Sequence, residues 1–145
     1  MNKIISIHSI LLKASPAEVW DVLTNPEKIA LYLFGTQTET DWRIGSSIQF
    51  SGEFQGMKYS DKGIVMANVA NKLLAYDYWT QFSGLEDIPE NYCEVSYQIE
   101  SVDEGSVKLI WQQIGFKDKD SLTRHESGMP SIMESIKKIV EGYQK

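Results

Sequence analysis

The chain has 145 residues, of which 42% are hydrophobic and 23% charged, and its formal net charge is −6. That length suits one domain, spanning residues 1–145, able to bury about 68–70% of its unfolded surface without covalent staples, and the composition is globular rather than disordered. The acidic balance, with Lys and Arg scattered, sets the chain against phosphate backbones and so against nucleic acid as a partner. The lone cysteine, Cys93, excludes an internal disulfide and any CxxC metal or redox motif. The longest apolar run, residues 29–34, is far below the roughly 20 residues of a membrane span.

The first residues, Met1-Asn2-Lys3-Ile4-Ile5-Ser6, carry no apolar export stretch. Together with the cysteine usage this gives the cytoplasm as the expected location. The acidic group Glu86, Asp87 and Glu90 reads as a solvated turn.

Residues 4–12 are rich in β-branched side chains and read as a first strand. Ser15 followed by Glu18 forms a capping box, and Pro16 falls at the first helical position, where its missing N–H costs nothing. Val19, Trp20 and Leu23 then form an apolar stripe. Asn25-Pro26-Glu27 repeats the start signal, so a second short helix follows.

The middle reads as an antiparallel meander. Residues 47–54 alternate, with Ile48, Phe50, Gly52 and Phe54 on one face. A turn bearing Gly, Ser and Asp then leads to a strand over 63–69, and Asn71-Lys72 turns into a strand over 73–82. Residues 84–91 read as a loop. Residues 92–102 place Val95, Tyr97 and Ile99 together, and Asp103-Glu104-Gly105-Ser106 is a turn in which Gly105 supplies positive φ. In the strand over 107–116, Val107, Leu109, Trp111 and Gln113 share a face.

Residues 117–127 are polar and loop-like. Met129, Ile132, Met133, Ile136, Ile139, Val140 and Tyr143 then repeat at helical spacing as one continuous apolar face. Ser131 and Glu134 offer a second capping box, which puts Pro130 in the first turn. A twisted sheet cannot touch one straight helix everywhere, so a gap between them is expected to form a cavity.

Ser15-Pro16-Ala17-Glu18-Val19-Trp20-Asp21-Val22-Leu23-Thr24-Asn25-Pro26-Glu27 resembles the opening of START-like (SRPBCC) proteins. Within them the chain resembles homologues of the heat-shock-protein-90 ATPase activator, C-terminal domain type. Trp42-Arg43-Ile44-Gly45-Ser46, Gly63-Ile64-Val65, Leu74-Ala75-Tyr76-Asp77-Tyr78-Trp79 and the hairpin 95–116 follow that branch in order and spacing. Gly128-Met129 departs from its usual Gly-Trp. The resemblance implies an α+β helix-grip fold (START-like, Bet v 1-like). This is a curved antiparallel sheet of about six strands with two short helices and a long C-terminal helix. It also implies a hydrophobic cavity under that helix, but no single function, since relatives bind hydrophobic molecules, cyclise or dehydrate polyketides, or assist a chaperone.

The residues themselves favour a pocket for a flat, mostly apolar ligand. Trp20, Phe34, Phe50, Phe54, Tyr76, Tyr78, Tyr97, Trp111, Met129 and Met133 are expected between sheet and helix, with Gln113 as an inward polar group. Ordinary core packing is the competing account of the same set. Arg43 and Glu53 are rim candidates. No catalytic constellation, nucleotide motif, metal motif or cofactor is expected. His8 reads as an ordinary strand residue, His125 as part of a solvated loop and Cys93 as a small buried hydrophobe. The expected partner is a hydrophobic small molecule. The alternatives are a cyclase- or dehydratase-like enzyme and a chaperone-stimulating module.

Overall fold

The computed structural model describes residues 4–142; Tyr143 lies outside them, as does the side chain of Phe54. The chain runs β1 (Ile4–Leu12), α1 (Pro16–Thr24), α2 (Pro26–Tyr32), β2 (Gln37–Glu39), β3 (Ser47–Phe54), β4 (Met57–Val69), β5 (Leu73–Tyr78), β6 (Cys93–Asp103), β7 (Ser106–Phe116) and α3 (Lys119–Gly142). The strands form one antiparallel sheet in the order β1-β7-β6-β5-β4-β3-β2. The sheet therefore has seven strands where about six were expected. The extra one is β2, too short to show a period in the sequence.

Because β1 and β2 occupy opposite edges, α1 and α2 carry the chain across the sheet. Both starts form as the sequence dictates. Ser15 accepts from the Glu18 N–H while Glu18 accepts from the Ser15 N–H, and Asn25 accepts from the Glu27 N–H. The buried stripe of α1 is Val19, Val22 and Leu23, with Trp20 only partly buried beside it.

Three expectations need correction. The turn after β3 is only Gln55-Gly56, both at positive φ (51° and 80°), so β4 begins at Met57 rather than at residue 63. β5 ends at Tyr78, Trp79 keeps a single bridge to Lys62 of β4, and residues 80–92 leave the sheet through two short 3₁₀ turns. The polar stretch expected as a loop over 117–127 is helical from Lys119, started by Asp118, whose carboxylate accepts the Ser121 N–H at 2.8 Å. Pro130 consequently sits midway along α3, and Ser131 does not cap it. A proline there cannot donate to the carbonyl of Glu126, which costs the helix interior about 3 kcal/mol relative to alanine.

The core lies between the sheet and α1 and α3. Met129, Met133, Ile136 and Val140 of α3 pack with Leu12, Val107 and Leu109 of the sheet and Val19 and Leu23 of α1. In the β6–β7 turn, Gly105 lies outside the left-handed region; the Asp103 carboxylate holds the turn by accepting the Gly105 N–H at 3.0 Å.

Gly63 is required for another reason. A Cβ there would lie 1.8 Å from the backbone oxygen of Asp77 on β5, whereas a Cβ at Gly105 meets nothing within 4 Å. Gly63→Ala should cost about 1–3 kcal/mol or more, since backbone has to move, while Gly105→Ala should stay within about 0.5 kcal/mol. Chemical denaturation of the two variants checks this.

Candidate functional site

A cavity of about 720 Å³ opens between the sheet and α3. Its sheet wall is aromatic because inward positions on β3, β5 and β7 carry rings. Phe50 stands 5.6 Å from Tyr76 and 5.8 Å from Tyr78, centroid to centroid. Tyr97 on β6 stands 5.9 Å from Tyr76 and 4.6 Å from Trp111, in edge-to-face contact with both. Met129 and Ile132 of α3 form the opposite wall, with Leu33 and Thr36 closing one side.

Of the sequence candidates, Phe34, Phe50, Tyr76, Tyr78, Trp111, Gln113 and Met129 line the cavity. Tyr97 does not: its hydroxyl is bonded to that of Tyr76 at 2.6 Å, and it braces Tyr76 and Trp111 from within the core. Met133 is buried in the core one helical turn below Met129, and Trp20 packs against the core from α1; neither lines the cavity. Glu53 reaches the rim and Arg43 does not. Cys93 is only partly buried, with its thiol directed at the Gly115 carbonyl; burial pushes that thiol up.

Sequence reasoning placed Gln113 and Glu53 at the cavity but missed two other polar members. Asp61 of β4, 5% exposed, lines the cavity; its Oδ2 accepts the Tyr78 hydroxyl at 2.7 Å. His125 faces the cavity from the first half of α3, its ring 4.9 Å from that of Phe116 and 6.3 Å from that of His8. His8 in turn bonds Glu126, tying α3 to β1. Among the buried side-chain atoms with no protein partner, three belong to residues of this lining: Asp61 Oδ1, Trp111 Nε1 and His125 Nε2. Unpaired groups of this kind are scarce in folded chains. Among the described residues no group of three or more His, Cys, Asp or Glu side chains is placed to hold a metal, and no helix is long and apolar enough to cross a membrane.

Burial keeps the tyrosines protonated. It pushes Tyr76 up to about 12, and Tyr32, Tyr78 and Tyr97 well above the ordinary phenol range. They therefore act as hydroxyl donors and not as phenolates.

The geometry agrees with the comparisons. A family model described as "Activator of Hsp90 ATPase homolog 1-like protein" matches residues 13–141, and the chain belongs to that family of helix-grip, START-like proteins. A solution structure of a protein from Cytophaga hutchinsonii is 30% identical, with a TM-score of 0.81 over 97% of this chain and 95% of that one. The Aha1 dimer from Colwellia psychrerythraea (20% identity, TM-score 0.75, 95% and 96% coverage) has the same fold. So does an HSP90 activator from Plasmodium falciparum (16% identity, TM-score 0.73, 96% of each chain). No curated protein matches at a significant level.

Two predictions come from this geometry. Phe34 occupies the left-handed position after α2 (φ 55°), where Gly35 donates back to the Ala30 carbonyl at 2.8 Å, and its ring is 77% exposed at the cavity mouth. Phe34→Gly should raise stability by about 0.5–1 kcal/mol net of the glycine's entropy, measured by chemical denaturation; a loss would place the ring in the core. His125 is held below the ordinary imidazole range by burial first and by His8 second, with Glu126 opposing. The unfolded chain then takes up that proton at higher pH than the folded chain does. Stability should fall as pH drops below about 6.5 and level off below the folded value. His125→Phe should flatten the melting-temperature profile between about pH 7 and about pH 5.5.

Proposed function

We propose that the protein binds a flat, mostly apolar small molecule in the cavity between the sheet and α3. The observation that carries this is the cavity itself: about 720 Å³, walled by Phe50, Tyr76, Tyr78 and Trp111 on one side and Met129 and Ile132 on the other. That volume falls within the range of about 300–1,000 Å³ usual for ligand pockets. Ring side chains supply broad apolar contact at low entropic cost, while their polar tips set orientation. Sequence candidates from five places, the end of α2, β3, β5, β7 and α3, converge on this space.

One observation favours a second reading, a cyclase- or dehydratase-like enzyme. Asp61 and His125 bring an acid/base pair of side-chain types to an otherwise apolar wall. Recovery of bound ligand unaltered after incubation supports simple binding; conversion that disappears in both Asp61→Asn and His125→Gln supports the enzyme. The family name and the Plasmodium falciparum structure keep a chaperone as the alternative partner, for which co-purification with the host's Hsp90 is the measurement.

The neutral fluorophore N-phenyl-1-naphthylamine should brighten on binding and raise the melting temperature. Ile132→Trp, which projects extra volume from the half-buried wall of α3, should weaken binding at least about tenfold with little change in stability. No brightening with this or any other neutral aromatic probe would refute the binding reading.

A further inference from the structure

Resting on that reading, the polar atoms of the cavity narrow the chemistry of what it takes. Asp61 is buried, yet only one of its two carboxylate oxygens is used: Oδ2 accepts from Tyr78, and Oδ1 finds no partner in the protein. Asp61 stands opposite Phe50 in the β3–β4 ladder, so its side chain shares the inward face with the aromatic wall. Glu53 adds a second carboxylate at the rim, three residues along β3 from Phe50. Among the described residues neither a lysine nor an arginine lines the cavity.

An ionised carboxylate accepts hydrogen bonds and offers none. A ligand reaching Asp61 must therefore bring a donor, and a ligand bringing its own carboxylate meets like charge with no cation to offset it. A ligand with neither group leaves Oδ1 unpaired, which is costly for a buried acceptor. We propose that Asp61 is the specificity-determining contact of this cavity, selecting aromatic or polycyclic ligands that carry a hydroxyl, phenol or amine donor and rejecting organic carboxylates. Fatty acids and aromatic acids are thereby excluded as its ligands.

Three matched probes test this on the native protein by calorimetry: biphenyl, para-phenylphenol and para-phenylbenzoate, which share one apolar body. The phenol should bind about tenfold tighter than biphenyl and at least about tenfold tighter than the benzoate. In Asp61→Leu, which keeps the branched side-chain shape and removes the acceptor, the phenol's advantage over biphenyl should shrink to about twofold or less. Benzoate binding equal to phenol binding overturns the proposal, and so does a phenol advantage that survives Asp61→Leu. The ranking on the native protein decides the matter even if that variant folds poorly. Biphenyl binding without discrimination sinks the role of Asp61 but leaves the ligand-binding reading standing; no binding by any of the three sinks both.

Discussion

One helix cannot cover a seven-stranded sheet. α3 packs mainly on β1, with further contact to β7 and to both short helices, so its apolar stripe is used up at one end of the sheet. The inward faces of β3, β4 and β5 stay beyond its reach, and rings on β3, β5, β6 and β7 brace each other sideways. Phe50, Tyr76, Tyr97 and Trp111 form a chain of edge-to-face or tilted neighbours at 4.6–5.9 Å, each held by the next. A wall made this way keeps its shape without material in front of it, whereas a wall of isolated aliphatic side chains would relax into the gap.

The same constraint orders the electrostatics. Tyr97 spends its hydroxyl on Tyr76 within the core, so that part of the wall is self-sufficient. Tyr78 spends its hydroxyl on one oxygen of Asp61, which leaves the other without a partner in the protein. The buried tyrosines remain neutral donors, and the carboxyl groups of the lining belong to Asp61 and Glu53. Across the cavity, the first half of α3 is fixed to β1 through the bond between His8 and Glu126, with His125 adjacent. Pro130 lies between His125 and Met129, which line the cavity, and Met133, Ile136 and Val140, which pack the core, with Ile132 beyond it still on the cavity wall. A missing backbone bond at that junction lets the two halves take slightly different directions.

Much of this was readable from periodicity. The alternations Ile48/Phe50, Val95/Tyr97/Ile99 and Val107/Leu109/Trp111 turn inward, and the stripe from Met129 to Val140 is buried or half-buried as its spacing requires. What could not be read has a common physical cause. The first half of β4, Met57-Lys58-Tyr59-Ser60-Asp61-Lys62, sets Met57, Tyr59 and Asp61 on the cavity face, and the polar Asp61 breaks the alternation that Met57 and Tyr59 begin. Residues 119–128 of α3 carry few apolar side chains and reach the cavity through His125, so no apolar stripe marks the helix there. Hence Asp61 and His125 were hidden, and Pro130 looked like a helix start. The Gln55-Gly56 pair between Phe54 and Met57 was the available signal for a tight hairpin that would have extended β4 back to Asp61.

Affinity and selectivity in such a cavity come from different atoms. A two-ring ligand burying about 200 Å² of apolar surface gains about 5 kcal/mol at roughly 25 cal/mol/Å². The loss of translational and rotational freedom consumes much of that gain. The aromatic wall alone thus supports weak binding of many similar compounds. Asp61 Oδ1 and Trp111 Nε1 find no partner in the protein, and a ligand that fails to match them leaves a cost of about 1–3 kcal/mol for each atom left bare. A penalty of that size is comparable to everything the wall offers after the ordering cost. The choice among ligands of equal shape therefore falls to the few polar atoms the protein leaves unpaired, and the larger apolar surface contributes mainly the binding common to all of them.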